Sequence, residues 1–157
     1  MIKGTFSENV KFSCLYQGAA NAVACDIVDT SEFNHGAFVV IHSGAVDSDL
    51  TLTLYESDDV AGSNTAAVTT ACPLYYDVDM GTSSDTVGAT TSDYDFKIDT
   101  TSQKNQMWIM EIDPAILSQG YPCVYLSDSG GSASNVCTIL WVGDPKTKGA
   151  TLPSAIA

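Results

Sequence analysis

The sequence predicts an all-β protein, an antiparallel β-sandwich of jelly-roll type, with an immunoglobulin-like sandwich as the second arrangement that fits. Three observations carry this expectation. Roughly eight to ten short segments have the composition or two-residue alternation of half-buried strands. Clusters of Gly, Ser, Asn and Asp separate them, as turns separate the strands of a sandwich. Only one stretch, near residues 114–119, carries helix signals, and it is under about two turns long.

The segments follow in order. Val10–Tyr16 reads as an edge strand, with Val10, Phe12, Cys14 and Tyr16 on one face and Lys11, Ser13 and Leu15 on the other. A small-residue link leads to the short apolar run Val23–Val28, and Asp29-Thr30-Ser31-Glu32 reads as a turn. Ala37–His42 and Leu50–Glu56 look like two strands of one hairpin, joined by a Gly/Asp/Ser-rich link. In the second of them Leu50, Leu52 and Leu54 alternate with Thr51, Thr53 and Tyr55, giving a leucine face and a hydroxyl face.

Further on, Ala66–Ala71 is a weak strand and Cys72–Met80 a better one, with Pro73 near its start, where a missing N–H is tolerated. Residues 81–92 read as a long loop. Tyr94, Phe96 and Ile98 share one face of the next strand, and Gln106–Ile112 is apolar enough to be buried on both faces. Asp113 suits an N-cap, Pro114 the first helical position and Gly120 the left-handed position after the end, which predicts a short helix over 114–119. Pro122–Ser127 and Val136–Val142 are the last strands, separated by a Gly/Ser loop. The domain reading is an N-terminal arm over 1–17, a sandwich over 18–145 and an irregular tail over 146–157.

Composition bounds the function. The chain has 157 residues, 45% of them apolar, enough for one domain with a substantial core. Six basic residues stand against nineteen acidic ones, so the net charge is 6 − 19 = −13; all six are lysines. Such a chain repels phosphate backbones and anionic membranes, and no nucleic-acid or membrane partner is expected. The first residues contain no apolar core of a secretory signal, so folding in a reducing cytoplasm is expected. Five scattered cysteines without Cys-x-x-Cys spacing then read as buried thiols, not disulfides or zinc ligands.

Three constellations invite chemistry. Ser127-Asp128-Ser129-Gly130-Gly131-Ser132 resembles the nucleophile loop of chymotrypsin-like proteases, with His35 and His42 upstream. Neither histidine has that family's Ala-Ala-His-Cys setting, and a flexible loop is the simpler reading. The pairs Asp47/Asp49, Asp77/Asp79 and Asp93/Asp95 would share strand faces and could seed a calcium site or a glycosidase couple. No calcium-loop motif accompanies them, and solvated faces that discourage edge pairing explain them more simply. Trp108 and Trp141 sit among apolar neighbours and read as core, whereas Tyr75, Tyr76, Tyr121 and Tyr125 are more open candidates for a sugar-binding face. No enzyme, metal or cofactor is expected.

The order of segments resembles a family of small tailed-bacteriophage virion proteins, the head decoration or cement proteins. The landmarks are Asn34-His35-Gly36-Ala37-Phe38-Val39-Val40, Leu52-Thr53-Leu54-Tyr55-Glu56-Ser57-Asp58-Asp59, Pro73-Leu74-Tyr75-Tyr76 and Asn105–Asp113. They continue with Leu117, Gly120-Tyr121, Val124-Tyr125-Leu126 and Cys137–Val142, over roughly residues 30–145. The resemblance implies a β-sandwich on the exterior of the capsid, made in the host cytoplasm, bound to the major capsid protein and commonly a homotrimer. Similar proteins often end in a basic Pro-Arg segment, where this chain has Asp144-Pro145-Lys146-Thr147-Lys148. The expected capsid contacts are Lys3, Phe6, Lys11 and Phe12 at the N-terminus and Lys146 and Lys148 in the tail. A glycan- or host-surface-binding module displayed on the virion is the alternative.

Overall fold

The computed structural model describes residues 9–44, 47–81, 87–89, 92–101 and 105–146. Among these, eleven strands form two antiparallel sheets. They are β1 (Lys11–Ala19), β2 (Val28–Asp29), β3 (Phe33–Ser43), β4 (Leu50–Ser57), β5 (Thr65–Ala67), β6 (Leu74–Asp77), β7 (Gly88–Ala89), β8 (Asp95–Ile98), β9 (Gln106–Ile112), β10 (Cys123–Gly130) and β11 (Val136–Pro145). Sheet A has the order β1-β11-β3-β9-β6-β7; sheet B has the order β2-β10-β4-β5, with β8 also on β4.

The pairing is nested. β1 lies against β11, β2 against β10, β3 against β9 and β4 against β8. Successive pairs belong alternately to sheet A and sheet B. The chain is therefore one long antiparallel ribbon rolled into a sandwich, and β11·β3 and β10·β4 seal its adjacent windings. That is the strand order of a jelly roll, the first of the two expected arrangements. The β6–β7 unit is inserted near the ribbon's tip and extends sheet A beyond β9.

Four expectations are corrected. β3 and β4 are not a hairpin: β3 is flanked by β11 and β9, and β4 by β10 on one side and β5 and β8 on the other, so the link between them crosses from sheet to sheet. In β1 a bulge between Cys14 and Tyr16 shifts the register, which turns Tyr16 inward opposite buried Ile139 while Phe12 and Cys14 stay outside. Residues 81–92 contain the short strand β7. The helix is a single 3₁₀ turn, Pro114–Ile116. Asp113 caps it, accepting from the Ala115 N–H at 2.9 Å, but the chain is extended again at Leu117. The next amide, Ser118 N–H, donates to buried Glu56 Oε2 at 2.8 Å instead of prolonging the helix.

Both sheets contribute alternate residues to one core. Sheet B supplies Leu50, Leu52, Leu54, Phe96, Ile98 and Leu126, all buried. Sheet A supplies Phe38, Val40, Met110, Ile112, Ile139 and Trp141. The Trp141 indole packs edge-on to Phe38 and Phe33, with centroids 5.2 and 5.9 Å apart. It fits because Gly36 and Gly143 face each other in the ladder: a Cβ on Gly36 would lie 2.1 Å from Trp141 Cζ2, and one on Gly143 2.6 Å from its Nε1. At the other side Trp108 is stacked between Phe96 of sheet B and Tyr76, at 5.0 and 5.1 Å. This triple stack ties β8 to β9 and β6.

Candidate functional site

Concave chemistry is sparse. A shallow cavity of about 320 Å³ lies beside the 3₁₀ turn, lined by Thr30, Ser31, Leu117, Tyr121, Pro122 and Lys146. Its one cation, Lys146 Nζ, donates to the Ser31 carbonyl at 2.6 Å. Burial pushes the thiols of Cys25 and Cys137 up to about 12 and those of Cys72 and Cys123 up to about 11, so these four are neutral and unreactive near pH 7.

The protease-like motif resolves into structure. Ser127–Gly130 is the end of β10, and Ser129 is exposed on the outer face of sheet B. His42 is fully buried in sheet A, and His35 lies on the outside of sheet A with Nε2 3.9 Å from Glu111 Oε2. The serine and the histidines thus belong to different sheets and are not brought together. Gly130 and Gly131 have φ of +86° and +78°, and a Cβ on either would lie 2.5 or 2.1 Å from a backbone carbonyl oxygen. The Gly-Gly pair is the requirement of a tight turn that approaches other backbone.

The aspartate pairs serve loops. Asp49 Oδ2 meets Lys97 Nζ at 2.6 Å, which raises the Lys97 pKa, and Asp49 Oδ1 accepts from Thr100 N–H. Asp77 accepts from Asp79 N–H and Asp93 from Tyr94 N–H. Asp59 accepts from both the amide and hydroxyl of Ser63, which hold its carboxyl below the usual carboxylate range. No group of three or more metal-ligating side chains is found among the described residues.

The distinctive surface is a sheet face. Residues directly opposite in a ladder point to the same side, so the register across sheet A defines rows on its outer face. One row runs Cys14–Leu140–Val39–Ile109–Tyr75 across five strands. The next is Gln17–Thr138–Ile41–Met107–Asp77, and on the other side lies Phe12–Val142–Ala37–Glu111. Phe12 is 51% exposed and Val136, at the end of β11, is 45% exposed. Sheet B differs. Its outer rows are Ser129–Thr51–Lys97, Ser127–Thr53–Asp95 and Tyr125–Tyr55–Ala67, hydroxyls and charges with one tyrosine pair 5.5 Å apart.

Of the expected capsid contacts, Lys11 and Phe12 open β1, opposite Gly143 and Val142, and Lys146 directly follows β11. The structure therefore brings these three to one end of sheet A, a proximity that sequence distance hid. Lys3, Phe6 and Lys148 lie outside the described residues. The outer row through Val39 and Ile109 was not singled out from sequence. The signal was there in Gln106–Ile112, whose run of apolar residues offers two apolar faces.

Among known proteins, no family model matches the chain and no curated protein matches it. Solved structures give long but loose overlaps. The SPBc2 prophage-derived protein YomS shares 12% identity at a TM-score of 0.35, over 86% of this chain and 92% of that one. The mitogen YPM derived from Yersinia pseudotuberculosis shares 12% identity at 0.31, over 95% and 98%. A structure of desmodium yellow mottle tymovirus shares 9% identity at 0.19, over 91% and 89%. Likeness of this degree carries no argument about function. The chain is, on its own strand order, an all-β jelly roll whose two outer faces differ in chemistry.

Proposed function

We propose that this chain is a head decoration protein, a module that binds the outside of an assembled phage capsid and stabilises it. The observation that carries the reading is where the family-like landmarks fall. Asn34–Val40 lies in β3, Leu52–Ser57 in β4, Leu74–Tyr76 in β6, Gln106–Ile112 in β9, Val124–Leu126 in β10 and Cys137–Val142 in β11. The resemblance thus follows the framework of both sheets and not a pocket, which suits a protein that works through extended surface.

Binding only the assembled shell stabilises it by mass action, about 2.7 kcal/mol per site when free protein is at a hundred times its Kd. The end of sheet A that gathers Lys11, Phe12 and Lys146 is the surface we assign to the capsid, because it brings together two of the six lysines of an acidic chain. The test is co-sedimentation with heads of the encoding phage stripped of this protein. A Lys11→Glu/Lys146→Glu variant is expected to lose binding while its melting temperature stays within a few degrees of the parent. Unchanged occupancy would refute the assignment of this end, and failure of the parent to bind any head form would refute decoration itself.

A second reading rests on the Tyr55–Tyr125 pair, half-buried on the hydroxyl-rich face of sheet B. Tyrosine rings beside hydroxyl donors suit a sugar, so a glycan-binding module displayed on the virion predicts carbohydrate affinity that Tyr125→Ala removes.

A further inference from the structure

We infer that the outer face of sheet A is the surface through which two copies of this chain pair, face to face about a two-fold axis. The row Cys14–Leu140–Val39–Ile109–Tyr75 carries no charge. The charged groups of that face stand at its margins: Glu111 and His35 toward one end, Asp144 beside them and buried Asp77 at the far strand. Leu140, Val39, Ile109 and Tyr75 are each partly exposed on that face, and Cys14 is exposed. A soluble single-layered face would be expected to alternate apolar-in and polar-out, as β4 does.

Charge selects the occupant. The chain carries −13, so a basic partner would be drawn to the aspartate-rich loops and not to this neutral face. A second copy has the opposite need, since it repels its twin everywhere that acids are exposed and approaches most readily where charge is least. Area is sufficient. With strands about 4.8 Å apart and about 3.3 Å per residue, the four long strands present roughly 500 Å² of flat sheet. Two copies then cover on the order of 1,000 Å², the size at which specific interfaces begin. The symmetry also follows: a ring needs two different patches per copy, whereas one self-complementary patch gives a two-fold pair. This differs from the trimer that the family resemblance implies, and it does not depend on capsid binding.

The test is the solution mass of the intact chain with its concentration dependence. The parent is expected near twice 16.5 kDa, and Val39→Glu and Ile109→Glu are each expected to return it to one copy. Thr53→Glu, at the matching place on sheet B, should leave the mass unchanged, and circular dichroism checks that all three fold. The Cys14 thiol supplies a second readout, because it is the exposed cysteine and lies on the row. Its alkylation should slow as concentration rises in the parent and stay fast in Val39→Glu. A parent that is monomeric at every concentration, or a trimer whose mass Val39→Glu leaves intact, overturns the inference. So does Cys14 protection that appears only on heads, which would make the capsid the occupant, or protection independent of concentration, which would make it a segment of the same chain.

Discussion

The two sheets share one core but treat their outsides differently. On sheet B every inward leucine of β4 is followed by an outward Thr or Tyr, so the face away from the core is covered with hydroxyls. On sheet A the outward positions of β3, β9 and β11 include Val39, Ile41, Met107, Ile109, Leu140 and Val142, with Thr138 and Glu111 as the polar members of the same rows. Identical backbone alternation thus yields one wet face and one apolar face. The lesson is that a strand which alternates declares a single contact, whereas a strand apolar at successive positions declares two. Burial within one chain accounts for only one of those two in sheet A.

The difference can be broken from the inside first. Trp141 is fully buried against Phe33 and Phe38, so Trp141→Ala is expected to cost about 3–5 kcal/mol in denaturant unfolding. Gly36→Ala attacks the same slot from the backbone side and is expected to cost about 1–3 kcal/mol through overpacking. A Trp141→Phe background, with its smaller ring, should recover part of that loss. Next comes Glu56, the polar end of the leucine row. The residue is 4% exposed and its carboxylate receives Ser118 N–H, so Glu56→Ala is expected to cost about 1.5–3 kcal/mol, and amide exchange at Ser118 should accelerate.

Outer-face changes should be milder. Val39 is half-buried on the outer face, so Val39→Thr, measured where the protein is a single copy, should lower the unfolding free energy by less than about 1 kcal/mol, well below the Trp141 change. A larger loss would mean that the outer face is core in its own right and would erase the contrast between the sheets. The smallest effect is electrostatic. The Asp59 carboxyl, held first by the Ser63 amide and then by its hydroxyl, titrates below the usual carboxylate range; its contribution is therefore complete above that range and disappears as the pH falls through its lower folded value. Carboxyl NMR should show this titration, and Ser63→Ala, which removes the hydroxyl but keeps the amide, should move it part of the way back up.

Much of the sandwich was legible because period-2 alternation survives in β4 and β8, where the buried sets are Leu50, Leu52 and Leu54 and then Phe96 and Ile98. What was not legible depends on partners distant in the chain. Ala37–His42 and Leu50–Glu56 look like a hairpin because proximity in sequence is the only pairing cue available. Their true neighbours, β11 with β9 and β10 with β8, come from the far half of the chain. The bulge beside Leu15 carries no residue signal, and β7 is a Gly-Ala pair with no periodicity to read. For the candidate site, residue types were visible but their convergence was not: Lys11 and Lys146 come to the same end of sheet A only because β1 returns to β11.

The nested ribbon has a consequence for how the protein is made. β1 is finished early in synthesis, yet its one partner among the described strands, β11, begins at Val136, 117 residues after Ala19. At about 5–20 residues per second, roughly 6–23 s pass on the ribosome before the outermost winding can close. Pairings this distant also place the fold among slow formers, on the millisecond-to-second scale. For that interval the strand holding Phe12 and Leu15 has no ladder to join, so the nascent chain is at its stickiest just before its last strand emerges.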